Sequence, residues 1–421
     1  QYPAMFSRKE IIGGKKIGEQ VHVTDQSVDV LQFARAIADD HNVKGIDDAF
    51  MVINLDALCE RVELWRRELP HIEPFYAVKC NSDQTLLSTL AAMGVGFDCA
   101  SRSEIELVLS LGVTPDRIIF ANPHKSRSFI GHAEAQGVNL MTFDNAEEME
   151  KIARHHNRAK LLLRIACPDP SATHPLSIKF GVEPGQAASG LLKLAAERGL
   201  CIRGICFHVG SGSRDASIFR VALQHARLLF DIGRALGHKM DILNVGGGFP
   251  GVDHHTPPFQ TFASHIRTAV EEFFPDPEVR LLAEPGRFFV EHPCALVLNV
   301  LARHAVTADK ITGDALDSRS VGHMYHVNDG VYGCFNCIIH DHVQPTGEPL
   351  FDVEEVLYPS IVYGPTCDSA DKIEHNKMMR VLEVGDWMIY QNMGAYTSVA
   401  GSRFNGFERP TAIHVVSEYR W

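Results

Sequence analysis

Hydrophobic and polar positions alternate in a regular rhythm from about residue 75 onward. Eight short apolar runs recur, at positions 75–79, 96–100, 118–121, 140–143, 160–166, 204–209, 242–245 and 281–284. The stretches between them place apolar residues at i, i+3 and i+4, which predicts amphipathic helices. The runs themselves are almost continuously apolar, as expected for parallel strands that are covered on both faces. Eight strand–helix units predict a (β/α)8 TIM-like barrel, with an open doubly wound sheet as the alternative.

The pattern changes after residue 290. Short strand-like runs separated by turn residues follow, at 295–302, 324–327, 361–364, 386–390 and 411–416, and they predict a β sandwich or barrel. The polar stretch 306–322 has no clear pattern and is expected to be a mobile loop. The opening segment is too short to fold alone. We therefore predict an α/β chain with a barrel domain of residues 47–292 and a β-sandwich/barrel domain that combines 1–46 with 293–421.

Composition narrows the class of protein. The 421 residues are 45% hydrophobic and 22% charged, with a net charge of −12, which is typical of a soluble globular protein and argues against nucleic acid or membrane surfaces as partners. The first ten residues lack the apolar core of a signal peptide. Ten scattered cysteines then favour free thiols over disulfides. We expect a cytoplasmic protein.

Polar side chains lie at the ends of five of the predicted barrel strands. They are Lys79, Asp98, Arg164, His208 and Glu284. A single lysine at a strand end is usually only a solvated charge. Barrel enzymes, however, carry their chemistry at the carboxyl ends of the strands, so five such residues on one rim predict an active site there.

Two glycine-rich runs follow the sixth and seventh strands, at 208–213 and 245–251. Either could be a tight turn, but together they allow backbone N–H groups to surround a phosphate on the same rim. A lysine, a phosphate site and an acid on one rim indicate pyridoxal 5′-phosphate. We expect Lys79 to hold this cofactor as a Schiff base, Glu284 to face its pyridine nitrogen and His208 to cover its ring.

Ten segments of the chain resemble the eukaryotic ornithine decarboxylase family, which has the alanine-racemase-like fold. They are PFYAVKCN (74–81), GFDCAS (96–101), FHVGSG (207–212), GGGFPG (246–251), AEPGR (283–287), NDGVYG (328–333), GPTCDSAD (364–371), GDW (385–387), NMGAYT (392–397) and FNGF (404–407). The resemblance covers nearly the whole chain. It implies a pyridoxal-phosphate enzyme that decarboxylates a small basic amino acid, with L-ornithine the first expectation and putrescine, a polyamine precursor, the product.

The resemblance also implies roles for individual residues. The catalytic set is Lys79, Cys367, His208 and Glu284, with Cys367 as the proton donor. The cofactor would contact Lys79, Asp98, Arg164, His208, Ser211, Gly247, Gly248, Glu284, Gly286, Arg287 and Tyr396, and the substrate would contact Asp341, Asp368, His340, Tyr332 and Phe404. In this family the C-terminal residues complete the site of the other subunit, so a homodimer with shared active sites is implied. No metal is expected.

Three departures from the family pattern affect the substrate prediction. His340 stands before Asp341 where a tyrosine is usual, His124 stands where animal enzymes have cysteine, and the segment 167–181 diverges at Thr173-His174-Pro175. His340 is near the expected distal end of the substrate. Lysine therefore remains an alternative to ornithine, whereas the presence of Asp341 disfavours arginine.

Two other functions compete with this interpretation. Cys334, Cys337, His340 and His342 have a spacing that could bind zinc, but they overlap family segments. Antizyme inhibitors, which are non-catalytic relatives that bind a regulatory protein, keep the fold and lose catalytic residues. Because this chain retains the catalytic set, an active enzyme is favoured, with an antizyme-type regulator as a candidate partner.

Overall fold

A computed structural model describes residues 6–12, 15–174, 176–252, 257–351, 353 and 356–420. Pro175, at which the sequence departs from the family, lies outside these residues. The described chain divides into two compact units. One contains Cys59–Asp83 and Leu87–Phe289, and the other contains the described residues up to Leu58, Gln84–Leu86 and those from Val290 onward.

The strands of the described residues are β1 (Phe6–Ile12), β2 (Lys15–Thr24), β3 (Phe50–Asn54), β4 (Ile72–Ala77), β5 (Gly96–Cys99), β6 (Ile118–Phe120), β7 (Leu140–Phe143), β8 (Lys160–Arg164), β9 (Ile202–Cys206), β10 (Ile242–Asn244), β11 (Arg280–Ala283), β12 (Cys294–Thr307), β13 (Val321–Val327), β14 (Gly347–Pro349), β15 (Tyr358–Tyr363), β16 (Lys372–Met379), β17 (Trp387–Tyr390) and β18 (Thr411–Ser417).

The helices of the same residues are α1 (Val30–Lys44), α2 (Leu55–Glu68), α3 (Gln84–Ala92), α4 (Arg102–Ser110), α5 (Arg127–Gln136), α6 (Ala146–His155), α7 (Gln186–Glu197), α8 (Ile218–Ala235), α9 (Phe259–Phe273), α10 (Arg287–Val290), α11 (Asp309–Thr312) and α12 (Cys337–His340). None of these helices is both long enough and apolar enough to cross a membrane.

The predicted barrel is confirmed. Strands β4 to β11 close into a ring in which every neighbouring pair is parallel. Seven of these strands contribute side chains to one buried apolar cluster that includes Phe75, Ile119, Leu162 and Leu282. Side chains from so many strands meet only inside a barrel, which is packed and is not a pore. The loops at the carboxyl ends of the strands are therefore free to carry chemistry.

The second unit is a β domain that includes the N-terminal segment, as predicted. Its ten strands are connected in the order β1-β2-β18-β3-β12-β13-β15-β16, and β17 pairs with both β12 and β14. Strand β12 joins the two parts of this sheet, because its first residues pair with β3 and β17 and its last residues pair with β13. Phe33 of α1 packs with Val52, Trp387 and Val415 in the core of this unit.

The stretch 306–322 is not the mobile loop that its polarity predicted. It contains the end of β12, helix α11, a short 3-10 turn at Ala315–Arg319 and the start of β13. Gly313 ends α11 in the left-handed conformation (φ 75°), and the Thr312 hydroxyl donates to Asp317 over 2.7 Å. Local side-chain capping stabilises this segment without an apolar pattern.

Candidate active site

The structure brings the five predicted rim residues to one end of the barrel. Asp98 lies in β5 and Arg164 ends β8, while His208 follows β9 and Glu284 follows β11. Lys79 was predicted to end its strand, but β4 stops at Ala77 and Lys79 lies in the 3-10 turn Val78–Cys80. Because the strands are parallel, all five side chains belong to the carboxyl-end rim.

Lys79 and Asp98 form the ion pair at the centre of this rim. Lys79 Nζ lies 2.7 Å from Asp98 Oδ2. The lysine side chain is 48% exposed and the aspartate side chain 1% exposed, so the amine is held in place but remains accessible. The other carboxylate oxygen, Asp98 Oδ1, is buried and accepts no hydrogen bond from the described residues. A buried acceptor of this kind favours a bound polar ligand.

Glu284 is a half-buried carboxyl with a raised pKa. Burial, reinforced by the charge of Asp98, raises its pKa to about 7, although Lys79 acts in the opposite direction. Asn244 Nδ2 donates to Glu284 Oε1 over 2.6 Å, and Asn244 Oδ1 accepts from the Gly246 N–H at 2.9 Å. Sequence reasoning missed Asn244, and a polar residue at the end of an apolar strand was its only signal. The carboxyl is therefore fixed in position and ready to share a proton with a ring nitrogen.

His208 is a neutral ring in the same site. Burial lowers the pKa of its imidazole well below the usual range, and the charges of Arg164 and Lys79 lower it further. Its Nδ1 accepts from the Gly210 N–H at 3.0 Å, which places the remaining proton on Nε2. A Cβ at Gly247 would lie 2.8 Å from that Nε2. A neutral flat ring beside a bare glycine is suited to stacking against a planar ligand.

The two glycine runs pack against each other at the rim. A Cβ at Gly248 (φ 102°) would lie 2.4 Å from the carbonyl oxygen of Gly210. The Ser211 N–H donates to the His174 carbonyl at 3.3 Å, and the His174 N–H donates to the Ser211 carbonyl at 3.0 Å. The backbone N–H of Ser211 is thus already used, so its hydroxyl is the better candidate for a phosphate contact.

The divergent segment 167–174 supports this glycine run through a buried side chain that sequence reasoning missed. Asp169 is 2% exposed. Its Oδ2 accepts from the Ser213 hydroxyl at 2.6 Å, and its Oδ1 accepts from the Ser171 N–H at 2.8 Å. The carboxylate therefore joins the segment 169–171 to the end of the run 208–213.

Arg164, Gly286 and Arg287 complete the predicted cofactor residues of the barrel unit. The Arg164 guanidinium lies 5.3 Å from the centre of the Phe180 ring, a cation–π contact that fixes its plane. Gly286 comes so close to Cys80 that a Cβ would lie 3.2 Å from the cysteine Cβ. Arg287 is the first residue of α10.

The β unit brings together three of the predicted substrate residues. Tyr332 donates a hydrogen bond to Asp368 Oδ2, and this bond lowers the pKa of the Asp368 carboxyl. The Tyr332 ring also contacts the Phe404 ring, with centroids 4.5 Å apart. Asp368 thus remains ionised near neutral pH, as a partner for a substrate ammonium requires.

The other predicted residues of this unit differ in exposure and backbone conformation. Cys367 is exposed beside Asp368, His340 is exposed at the end of α12, and Asp341 is buried. Tyr396 is half-buried and has φ 55°, a conformation that is rare for a bulky residue and is common at functional sites.

Buried Asp371 holds the two loops that carry these residues. It accepts hydrogen bonds from the Val331 N–H at 2.8 Å, from the Thr366 N–H at 3.0 Å and from the Thr366 hydroxyl at 2.7 Å. Sequence reasoning did not single out Asp371, although it ends the segment 364–371. Its carboxylate fixes Tyr332 and Asp368 relative to each other.

The zinc site weighed as an alternative is not assembled within the described residues. Cys334 and Cys337 are buried, whereas His340 is exposed at the end of α12. Cys334 instead contacts Asp329, whose carboxylate accepts from the Cys334 N–H at 3.1 Å. Within the described part of the chain, no group of three or more potential metal ligands occurs.

The barrel, its lysine, its buried acid and its glycine runs define a pyridoxal-phosphate enzyme. Residues 55–291 match the family described as "Pyridoxal-dependent decarboxylase, pyridoxal binding domain", and this chain belongs to that family. The residues fit the cofactor, because Asp98 Oδ1 offers an unused buried acceptor and the bare glycines leave room for a phosphate.

Relatives and solved structures agree with the family. The chain is 53% identical to ornithine decarboxylase of Caenorhabditis elegans, over 99% of this chain and 98% of the relative. It is 41% identical to antizyme inhibitor 2 of Xenopus laevis, over 89% and 82% of the two chains. The crystal structure of the arginine decarboxylase of Paramecium bursaria Chlorella virus has a TM-score of 0.85 and 35% identity, and the match covers 91% of this chain and 100% of that one.

Proposed function

We propose that this decarboxylase acts on L-ornithine and releases CO2 and putrescine. The contact that carries the proposal is the Lys79–Asp98 ion pair at 2.7 Å, on the same rim as the half-buried acid Glu284. The identity of 53% with an ornithine decarboxylase over 99% of the chain supports the choice of substrate. Bound pyridoxal phosphate would supply an electron sink for the pair released when the bond to the carboxylate breaks.

Each residue then has a role that follows from its surroundings. Lys79 would hold the cofactor through its amine. Glu284, whose pKa is raised by burial, would hold a proton at the pyridine nitrogen, and neutral His208 would cover the ring. Arg164 and Asp98 complete the polar network.

The phosphate would be held by the glycine runs and neighbouring polar groups. We assign this contact to Ser211, Gly247, Gly248, Gly286, Arg287 and Tyr396. Borohydride reduction of the yellow protein, followed by peptide mapping, should find the cofactor on Lys79. Attachment to a different lysine would refute the assignment.

The β unit would supply the residues that select and protonate the substrate. We assign Asp341 and Asp368 to the distal ammonium and Tyr332, Phe404 and His340 to the walls. Two carboxylates disfavour an apolar side chain, because they would be left without a partner. Cys367, an exposed thiol, would return a proton to the carbon that has lost its carboxylate.

We propose that the C-terminal residues serve the active site of a second subunit in a homodimer. The division of the chain into a cofactor domain, residues 47–292, and a β domain, residues 1–46 with 293–421, belongs to this proposal. Mixed chains of inactive Lys79→Ala and inactive Cys367→Ala should regain part of the activity. Confirmed heterodimers without any recovery would refute shared sites.

A CO2-release assay across ornithine, lysine and arginine tests the substrate directly. We expect the highest kcat/KM for ornithine. If lysine were preferred, we would attribute the preference for a longer substrate side chain to His340. A second candidate is a regulatory homologue without activity, which the similarity to antizyme inhibitor 2 favours. Release of CO2 from no basic amino acid, together with binding of an antizyme-type protein, would establish that alternative. We also propose a cytoplasmic location, which the ten free thiols support.

A further inference from the structure

A second cavity lies at the opposite end of the barrel from Lys79. Its wall includes the first residues of β4, β5 and β11, and Arg117 directly before β6. Its volume is about 410 Å³, which is within the range of small-molecule sites. The decarboxylase chemistry uses none of the residues in this wall.

The wall of this cavity carries more positive than negative charge. Three arginines and one carboxylate line it, namely Arg66, Arg117, Arg280 and Glu73. Arg280 is fully paired, because its guanidinium donates to both Glu73 oxygens at 2.8 and 2.6 Å. Neither Arg66 nor Arg117 has a carboxylate within 4 Å in the described part of the chain. Two cations without an ion pair thus face one cavity in a chain whose net charge is −12, and Asp116 offsets the charge of Arg117 only without direct contact.

Arg117 is the more constrained of these two cations. Its Nη2 donates to the carbonyl oxygens of Ala91 at 2.9 Å and Val95 at 2.6 Å. Its Nε is buried and has no hydrogen-bond partner among the described residues. Burial lowers the pKa of Arg117, whereas the bond to Glu73 raises that of Arg280. Asp116 raises this pKa in turn but forms no ion pair with Arg117. A bound anion would supply the acceptor that Arg117 Nε lacks, and a charge in direct contact with the guanidinium.

We propose that this cavity binds a small phosphate-bearing anion through Arg66 and Arg117. An anion would pair with Arg66 and Arg117, and a planar guanidinium can donate to phosphate oxygens in pairs. Because a single phosphate would leave much of the cavity unfilled, a diphosphate or a phosphate ester of a small metabolite is the expected class. This site is separate from the cofactor phosphate, which belongs to the other rim.

A competing explanation is that the arginines only cap the end of helix α3. Arg66 donates to the Met93 carbonyl just after that helix, and cations are favoured at helix carboxyl ends. A cap requires no ligand and predicts no saturable binding. The two explanations therefore differ in a measurement that is independent of catalysis.

Calorimetric titration of the holoenzyme with inorganic pyrophosphate at fixed ionic strength makes this measurement. The cofactor already occupies its own phosphate site in the holoenzyme. We expect saturable binding of one pyrophosphate per chain, and at least about tenfold weaker binding in Arg66→Gln, because a charge-assisted contact is lost. His71→Glu, which adds a carboxylate at an exposed position of the wall, should abolish binding.

Arg67→Gln is the matched control. Arg67 is the next residue of α2, is exposed and pairs with Glu68, and it is not part of the wall. We expect wild-type affinity in this variant and wild-type kcat in all three, with a lower Tm only in Arg66→Gln, which loses the bond to the Met93 carbonyl. The absence of saturable binding by the wild-type protein would overturn the proposal. Equal weakening by Arg67→Gln would also overturn it, because the attraction would then be diffuse surface charge.

Discussion

Replacement of Asp169 by alanine should weaken cofactor binding without unfolding the barrel. The substitution removes the acceptor of two bonds, from the Ser213 hydroxyl at 2.6 Å and from the Ser171 N–H at 2.8 Å. It leaves the Ser213 hydroxyl, which is 1% exposed, with only a carbonyl at 3.4 Å. Hydrogen bonds to a charged group contribute about 1.5–3 kcal/mol each.

The expected change in affinity follows from these bonds. If one of them serves to fix the glycine run 208–213, the apoenzyme loses about 1.5–3 kcal/mol of cofactor binding, or roughly 10- to 100-fold in Kd. Titration of apoenzyme with pyridoxal phosphate, followed by absorbance, measures this Kd. In a double-mutant cycle, Asp169→Ala and Ser213→Ala should be strongly non-additive, since each removes the same contact.

Asp215→Ala is the matched control for Asp169→Ala. Asp215 accepts the same two kinds of bond, from the Ser217 N–H at 2.9 Å and the Ser217 hydroxyl at 2.6 Å, but on an exposed surface. Its replacement should leave the cofactor Kd unchanged. An unchanged Kd in Asp169→Ala, with additive behaviour in the cycle, would refute the reasoning.

Three further predictions concern buried charges. Glu284→Gln should lower kcat by about 100-fold or more. The folded-state pKa of Glu284, about 7, exceeds its usual value of 4.5. Its contribution to apoenzyme stability should therefore be complete below about pH 4.5 and disappear as pH rises through about 7. Denaturation of wild-type and Glu284→Gln apoenzyme at several pH values checks both the direction of this change and the pH range in which it occurs. Lys125→Met should destabilise the fold by about 1.5–3 kcal/mol, since it removes the pair between Lys125 Nζ and buried Glu148 at 3.0 Å but leaves Lys151 Nζ 2.5 Å from the same carboxylate. Lys125→Met with Glu148→Gln should recover part of this loss in urea unfolding. Asp371→Ala should raise the substrate KM about tenfold through loss of backbone contacts, and an unchanged KM would show that Asp371 does not position the substrate loops.

The barrel and its rim could be predicted because both are written in local patterns. Each strand is a short apolar run, and each rim residue lies in the last part of such a run or shortly after it, as Asp98 and Glu284 do. The position of Lys79 was predicted less well, because whether a strand continues through its last two residues depends on pairing with its neighbour. The prediction of a mobile loop at 306–322 was wrong, because helix caps and not apolar periodicity stabilise the structure of this segment.

The supporting residues of the site could not be predicted for a different reason. Asp169 pairs with Ser213 and Asp371 pairs with Val331, across 44 and 40 positions of sequence. Nothing local distinguishes such a carboxylate from a solvated surface charge, since its partner is brought near only by the folded topology. Asn244 could not be predicted for the same reason, because its bond to Glu284 depends on the strand next to it.

The contacts of Asn244 restrict which residue can replace Glu284. The Gly246 N–H fixes the orientation of the Asn244 amide, so that its Nδ2 must donate to position 284. A glutamine at position 284 has one acceptor oxygen, which would accept the hydrogen bond from Asn244. Its NH2 group would then point toward the place of the second carboxylate oxygen. The direction of the hydrogen bond to a ring nitrogen would then be reversed. An amide at this position could therefore serve only an unprotonated ring, and a change of acid to amide would require Asn244 to change as well.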